Sequence, residues 1–105
     1  MTEKKLSAFF TIYRKAGMEL TLNILAACEN NTCTESDFFD ALKSNGSYPN
    51  EFYRTKLALL DYHLITYALN EEYEKVIRLT EAGEQVLNLV NEINGILKKH
   101  AEKES

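Results

Sequence analysis

The chain has few of the residues that interrupt regular structure, with one proline and four glycines among 105 residues. Because proline and glycine punctuate helices and strands most strongly, the few breaks that they mark are informative. The sequence also lacks a Gly-rich phosphate loop, a nucleophile elbow and a His-Glu-x-x-His motif, each of which would indicate a class of enzyme. We therefore expect a protein without catalytic activity and without a cofactor.

Cysteine is equally scarce, with Cys28 and Cys33 as the only two. A pair spaced in this way is not a zinc site, and His63 and His100 lie too far along the chain to complete one. No metal is predicted, and both thiols are interpreted as small apolar side chains in the core or in a loop. The alternative is a disulfide across the loop between two helices, which is rare inside cells.

Long apolar runs are absent as well. No stretch approaches the roughly 20 apolar residues that a membrane helix needs. Residues 1–5 are not followed by the apolar core of a signal peptide. The sequence therefore predicts a cytoplasmic protein without membrane contact, and its hydrophobic fraction of 45% suits a single domain with a real core.

Apolar residues recur at helical spacing in four segments before His63. The predicted helices are residues 3–15, 18–29, 35–44 and 49–62. The pair Asn30-Asn31 suits the end of the second helix, because asparagine tolerates the left-handed conformation. Thr34 is the predicted N-cap of the third helix, and Ser47 that of the fourth, with Pro49 in its first turn.

The fourth predicted helix has a stripe of large side chains that are expected to face the core, namely Tyr53, Leu57, Leu60 and Leu64. Residues 64–69 and 73–79 are rich in strand formers and predict a hairpin around the polar turn Asn70-Glu71-Glu72. Thr80 is the predicted cap of the last helix. Two short helices separated by a glycine-containing turn indicate a helix-turn-helix, and the hairpin behind them makes it winged.

Two segments resemble winged-helix regulators of the PadR and MarR types, and more closely small archaeal winged-helix proteins that dimerise through the helix after the wing. They are Leu57-x-x-Leu60-x-x-x-Leu64-Ile65 and Leu79-Thr80-Glu81-Ala82-Gly83-Glu84-Gln85-Val86-Leu87. The resemblance covers residues 18–97. His63 departs from it, because these families often place glycine there.

The resemblance implies a mainly α fold in one domain, residues 1–105: a winged helix-turn-helix with a two-stranded β wing and long terminal helices. The helix-turn-helix would span about 34–62, the wing about 64–79 and a dimerisation helix about 81–103. It also implies a homodimer that binds double-stranded DNA through helix 49–62, with the wing near a phosphate backbone. The expected role is transcriptional regulation.

The surface of helix 49–62 has side chains that suit a major groove. Arg54 can contact guanine, Asn50 adenine, and Thr55 the methyl group of thymine. The other predicted DNA-binding residues are cations expected near phosphate: Lys43, Lys56, Lys75 and Arg78. The alternative is an ordinary exposed helix face.

The charge of the chain opposes DNA binding. The formal net charge is −4, and residues 34–79 contain five basic and eight acidic side chains. A phosphate close to Glu71 and Glu72 would be repelled. The alternative function is therefore a winged-helix module that binds a protein partner through its acidic wing and does not bind DNA.

Two apolar stripes, at 6–13 and 82–97, exceed what a monomer of this size comfortably covers, and helix seams of this kind usually pair. We therefore predict a homodimer. The predicted interface comprises Leu6, Phe9, Phe10, Tyr13, Val86, Leu89, Val90, Ile93, Ile96 and Leu97. The alternative is that the two helices pack against each other within one chain.

Overall fold

A computed structural model describes residues 7–13 and 17–103. The described part is mainly helical, with a small antiparallel sheet. Its elements are, in chain order, α1 Ala8–Tyr13, α2 Met18–Ala27, a 3-10 turn Glu29–Asn31, β1 Thr32–Thr34, α3 Glu35–Ser44, α4 Pro49–Asp61, β2 Ile65–Leu69, β3 Lys75–Leu79 and α5 Glu81–Lys103. Two short helices followed by a hairpin are compatible with a winged-helix layout.

The sheet has three described strands in the order β1-β3-β2, where the sequence predicted only the hairpin β2–β3. Strand β1 pairs with β3 from Thr32 opposite Arg78 to Thr34 opposite Val76. A strand of three residues is too short to show an alternating pattern of its own. It forms because β3, far along the chain, offers an edge with which it can pair.

Local capping confirms the predicted starts of α3 and α5. Thr34 Oγ1 accepts a hydrogen bond from the amide of Asp37 at 3.1 Å, and Thr80 Oγ1 accepts one from Gly83 at 3.0 Å. Asn30 and Asn31 are both left-handed, with φ of 58° and 57°, but they lie in the 3-10 turn after α2, which ends at Ala27 and not at residue 29 as predicted. The two caps and the left-handed asparagines depend only on residues within one turn of the chain, which is why the sequence predicts them.

Ser47 is not the N-cap of α4, so that prediction was wrong. Tyr48 occupies the N-cap position in an extended conformation, without a side-chain hydrogen bond to the helix. A residue before proline is pushed towards extended backbone, which fixes the start of the helix at Pro49. Ser47 is buried instead, and its hydroxyl donates to the carboxylate of Glu51 in the first turn.

The face of α4 that packs on the core is also not the predicted one. Phe52, Thr55 and Leu59 are fully buried, whereas Tyr53 is 53% and Leu57 69% exposed. The core therefore uses a stripe one residue away from the predicted stripe, a rotation of about 100° around the helix. Leu60 is half-buried, and Leu64, beyond the helix, is buried as predicted.

An aromatic contact between helices accounts for this rotation. The rings of Phe38 in α3 and Phe52 in α4 meet edge to face, with centroids 4.8 Å apart. The core around them is built from α2, the sheet and the start of α5. Its fully buried large side chains include Met18, Leu22, Leu25, Leu42, Leu59, Ile65 and Ile77.

Helix α5 packs on the body of the protein mainly through its first half. Leu87 and Val90 are buried, but Leu89, Ile93, Ile96 and Leu97 are each at least 45% exposed. Val90 is thus covered by its own chain and does not belong to a free dimer surface, which corrects the prediction. None of the helices in residues 7–13 and 17–103 is both long enough and apolar enough to cross a lipid bilayer.

Helix α1 lies beside α5, as the alternative to dimerisation had anticipated, but the packing between them is incomplete. Phe9 and Tyr13 line cavities of about 350 and 310 Å³ together with side chains of α5. Glu19 of α2 links the two helices, because it accepts hydrogen bonds from Tyr13 at 2.7 Å and Asn94 at 3.3 Å. Leu6 and the side chain of Phe10 lie outside the described part of the chain.

Candidate nucleic-acid interface

The exposed side of α4 carries a stripe of four side chains with helical spacing. They are Asn50, Arg54, Leu57 and Asp61. We call this stripe the outer face of α4. It lies opposite the buried stripe that begins with Phe52, so the same packing that forms the core also decides which side chains solvent can reach.

Two of the three predicted base contacts lie on the outer face of α4. Asn50 and Arg54 are exposed there. Thr55 is fully buried, so it cannot reach a base edge, and its prediction as a DNA contact was wrong. This error has the same physical cause as the rotated core stripe, because the helix turns Thr55 inward when Phe52 enters the core.

The start of α4 is held against α2 at a close backbone contact. Gly17, just before α2, has a φ of 93°, and a Cβ atom there would lie 2.9 Å from the carbonyl oxygen of Glu51. Only glycine combines this conformation with this approach at low cost. The contact fixes the first turn of α4, and with it the position of Asn50 and Arg54.

Two lysines from different elements converge on one aromatic ring where α4 meets the hairpin. Lys56 Nζ lies 4.8 Å and Lys75 Nζ 5.4 Å from the centroid of the Tyr67 ring. Lys56 Nζ also lies 5.7 Å from the centroid of Tyr53. We call Lys56 and Lys75 the lysine pair. The π face of a tyrosine attracts a cation, so both ammonium groups are held near this ring, where α4 meets the hairpin.

The Tyr67 ring that holds the lysine pair is itself partly enclosed. Burial raises the pKa of its phenol well above the ordinary value, and the neighbouring carboxylate of Glu35 raises it further. The phenol therefore stays neutral at physiological pH, so it does not neutralise the two ammonium groups. Glu35 is the acidic group that an approaching phosphate would meet here.

Arg78 does not join the lysine pair. It stands between Thr32 and Thr66 in the sheet, on the face opposite to that of Lys75 and Tyr67, because side chains alternate along a strand. Its Nε donates to Thr32 Oγ1 at 3.3 Å. The sequence analysis had predicted that Arg78 and Lys75 would both contact phosphate. Because side chains alternate along a strand, the two residues lie on opposite faces of the sheet instead.

Lys43 is exposed in the last turn of α3. A cation at that position interacts favourably with the negative end of the helix dipole. Lys43 is thus accessible, as a phosphate contact would require.

The tip of the hairpin is acidic and tightly built. Asn70 Oδ1 accepts hydrogen bonds from the amides of Glu72 at 3.0 Å and Glu74 at 2.8 Å. Tyr73 is left-handed, with a φ of 63°, and is 83% exposed. Glu71 and Glu72 are exposed, as predicted for a solvated tip. The asparagine at the start of the loop was the sequence signal for this turn, since its side chain bonds to the backbone that follows.

Both cysteines are free thiols, so the disulfide alternative is not formed. Cys28 Sγ donates to the carbonyl oxygen of Ile24 at 3.2 Å. Cys33 is buried in β1, and burial, followed by a hydrogen bond with Cys28, raises its pKa to about 12. A thiol with such a pKa stays protonated and unreactive, which fits the interpretation of both cysteines as small structural side chains.

The chain was compared with protein-family models, curated proteins and solved structures. It matches none of them. Its function therefore has to be inferred from the outer face of α4, the lysine pair and the exposed face of α5.

Two exposed side chains on α4 were missed by the sequence prediction, which had assigned both to the core. Tyr53 and Leu57 stand beside Arg54 on the exposed side of the helix. The signal that could have found them was the second helical stripe in the same segment, Phe52, Thr55 and Leu59, with spacings of three and four. Any candidate ligand of this surface must therefore tolerate an aromatic and an aliphatic side chain next to cations.

Proposed function

We propose that this chain is a winged-helix protein that binds double-stranded DNA as a homodimer and regulates transcription, without catalytic activity and without a cofactor. In this proposal α3 and α4 form the helix-turn-helix, and the hairpin β2–β3 is the wing. The observation that carries the proposal is the convergence of Lys56 and Lys75 on Tyr67, where the helix meets the wing.

The lysine pair would hold a phosphate of the DNA backbone. Affinity for DNA comes largely from lysine and arginine side chains that neutralise phosphates. A duplex lying against the outer face of α4 would bring its backbone to the flanks of that helix, and Lys56 is on one flank. Lys75 adds a second charge from the wing, so one phosphate could be shared by both elements.

The outer face of α4 would enter the major groove. With 13 residues, α4 is about 20 Å long, and a groove about 12 Å wide admits a helix. Arg54 would contact guanine, and Asn50 adenine, through hydrogen bonds to base edges. Lys43, accessible at the end of α3, would contact phosphate.

A homodimer would form through the exposed apolar side of α5. Leu89, Ile93, Ile96 and Leu97 are large apolar side chains that the chain itself leaves 45 to 63% exposed. The unfilled cavities between α1 and α5 continue this surface. A second copy that covered both would remove an apolar surface that monomeric proteins rarely leave exposed to water.

Titration of a labelled DNA duplex with the protein tests the proposal directly, and salt must be varied because phosphate contacts are salt-dependent. Binding that weakens as salt rises supports it. Absence of binding at low salt contradicts it.

A second candidate function is a winged-helix module that binds another protein. Exposed Tyr53 and Leu57 on α4 favour it, because aromatic and apolar side chains are typical of protein interfaces. The acidic tip of the wing, with Glu71, Glu72 and Glu74 exposed, would suit a basic partner. This candidate predicts that the chain does not bind DNA even at low salt.

A further inference from the structure

Leu57 is the least expected side chain on the outer face of α4. It is 69% exposed, although it is a large aliphatic residue in the middle of a helix that buries three other side chains completely. It therefore contributes little to the core. Its position, one turn after Arg54 and one turn before Asp61, puts it at the centre of the surface that would face DNA.

The base edges of the major groove offer one apolar group, the C5 methyl of thymine. All four bases present hydrogen-bonding groups there that a leucine leaves unsatisfied, but only thymine adds a methyl group that the leucine can contact. An exposed leucine at the centre of a recognition surface thus distinguishes thymine from the other bases. Asp61 fits the same groove chemistry, because a carboxylate can accept a hydrogen bond from the amino group of cytosine.

The spacing along α4 places the leucine contact next to the arginine contact. Arg54 and Leu57 are three residues apart, so their Cα atoms are separated by about 4.5 Å along the helix axis. Consecutive bases of one strand rise by about 3.4 Å. Side chains with this separation meet adjacent base pairs when the helix follows the groove.

Cations around Leu57 favour a nucleic-acid occupant for this face. Arg54 lies one turn away, and the lysine pair stands where the helix meets the hairpin. An anionic partner that also carries an apolar methyl group satisfies both kinds of side chain. Thymine-containing duplex DNA has both features.

We infer that Leu57 gives the protein a preference for duplexes in which thymine lies beside the guanine contacted by Arg54, through contact between the leucine side chain and the thymine methyl. This inference rests on the proposed DNA binding. It adds the base composition of the preferred site and the residue that determines it.

The test removes the methyl group from the DNA without changing base pairing. Duplexes are first selected with the wild-type protein from a random-sequence library, then resynthesised with deoxyuridine in place of thymidine. Fluorescence anisotropy gives Kd for both forms. Because burial of a methyl group contributes about as much as a buried methylene, wild type should bind the deoxyuridine duplex about fourfold more weakly for each contacted thymine.

Three variants connect the effect to Leu57. Leu57→Ala keeps a good helix former but shortens the side chain, so the ratio of the two Kd values should fall to about one. Leu57→Met keeps a long apolar side chain and should retain the wild-type ratio. Leu69→Ala is the matched control, because Leu69 is a leucine of similar exposure, 64%, on β2, and its loss should leave the ratio unchanged.

Two results would overturn the inference while leaving DNA binding intact. One is equal binding of both duplex forms by wild type. The other is a Leu57→Ala variant that keeps the wild-type ratio. If wild type binds no duplex of either kind at low salt, the proposed function fails as well, and the apolar side of α4 is then a protein-binding surface.

Discussion

Gly83 lies against the carbonyl group of Leu64, so closely that a Cβ atom at position 83 would stand 2.2 Å from that oxygen. Thr80 reinforces the contact, since its Oγ1 donates to the carbonyl oxygen of His63 at 2.5 Å and its amide to that of Leu64 at 3.0 Å. His63 is left-handed, with a φ of 59°, a conformation that glycine adopts at a lower cost than other residues. The segment Leu79-Thr80-x-x-Gly83 thus joins the turn after α4 to the start of α5.

Gly83→Ala is expected to destabilise the fold. The added methyl group meets a backbone carbonyl that cannot move independently of the turn, and overpacking of this kind costs about 1–3 kcal/mol or more. Urea unfolding measures the change. Gly95→Ala is the matched control, because a Cβ atom at position 95 meets nothing within 4 Å and should stabilise α5 by about 1 kcal/mol. Equal effects of the two substitutions would contradict the close contact at Gly83.

Thr55→Val is expected to raise the free energy of unfolding by about 1 kcal/mol. Thr55 is fully buried and its Oγ1 has no hydrogen-bond partner, so the hydroxyl contributes a desolvation cost that valine of similar shape avoids. Thr34→Val should do the opposite and lower it by about 1 kcal/mol, because Thr34 caps α3. A large destabilisation by Thr55→Val would show that the hydroxyl makes a bond that stabilises the core.

Leu89→Lys combined with Ile93→Lys is expected to convert the proposed dimer into a monomer. Both side chains are exposed within one chain, although they also line the cavity beside Phe9, so the added charges would be buried unpaired mainly in an interface with a second copy. Light scattering gives the mass, and circular dichroism checks the fold. Asn88→Lys, at an exposed position of the same helix, should leave the dimer intact. A wild-type monomer at micromolar concentration would rule out the dimer.

The buried thiol of Cys33 predicts a pH dependence of stability at alkaline pH. Its pKa is raised from 9.0 to about 12, so the folded chain favours the neutral thiol. This contribution is fully present below pH 9.0 and is lost as pH rises towards about 12. Urea unfolding at about pH 8 and pH 10.5 should therefore show a smaller loss for Cys33→Ala than for wild type. Equal losses would mean that the thiol is not buried in this way.

Neither thiol is expected to control DNA binding, because Cys28 Sγ is hydrogen-bonded to the carbonyl oxygen of Ile24 and Cys33 is buried in β1. Cys28→Ser combined with Cys33→Ser should bind duplex DNA as wild type does, provided that circular dichroism shows an intact fold. Loss of binding by a folded double variant would instead indicate a redox switch.

The sequence predicts those features that are determined locally. Thr34, Thr80 and Pro49 mark helix ends because their effect on the backbone acts within one turn. The core-facing side of α4 is not local. Two stripes with helical spacing compete within it, and the contact of Phe52 with Phe38 of another helix decides between them.

The candidate site also combines features that the local sequence determines with features that depend on distant contacts. That Lys56 lies on the fourth helix and Lys75 on the hairpin follows from the sequence. The register of β2 and β3 brings Lys75 to the Tyr67 ring that Lys56 also contacts, and it places Arg78 on the opposite face of the sheet. Strand β1 depends on pairing with residues more than forty positions along the chain, so its three residues gave no signal by themselves.

Binding of duplex DNA across a salt series tests the central claim most directly. In about 50 mM salt, wild type should bind in the micromolar range or tighter, and log K should fall linearly with log salt. Lys56→Ala and Lys75→Ala should each flatten that slope by about one unit, and Arg54→Ala should mainly reduce discrimination between sequences. Lys98→Ala, near the C-terminal end of α5, should change neither the salt slope nor the discrimination between sequences. A wild-type protein that binds no duplex at tens of micromolar under these conditions would contradict the account.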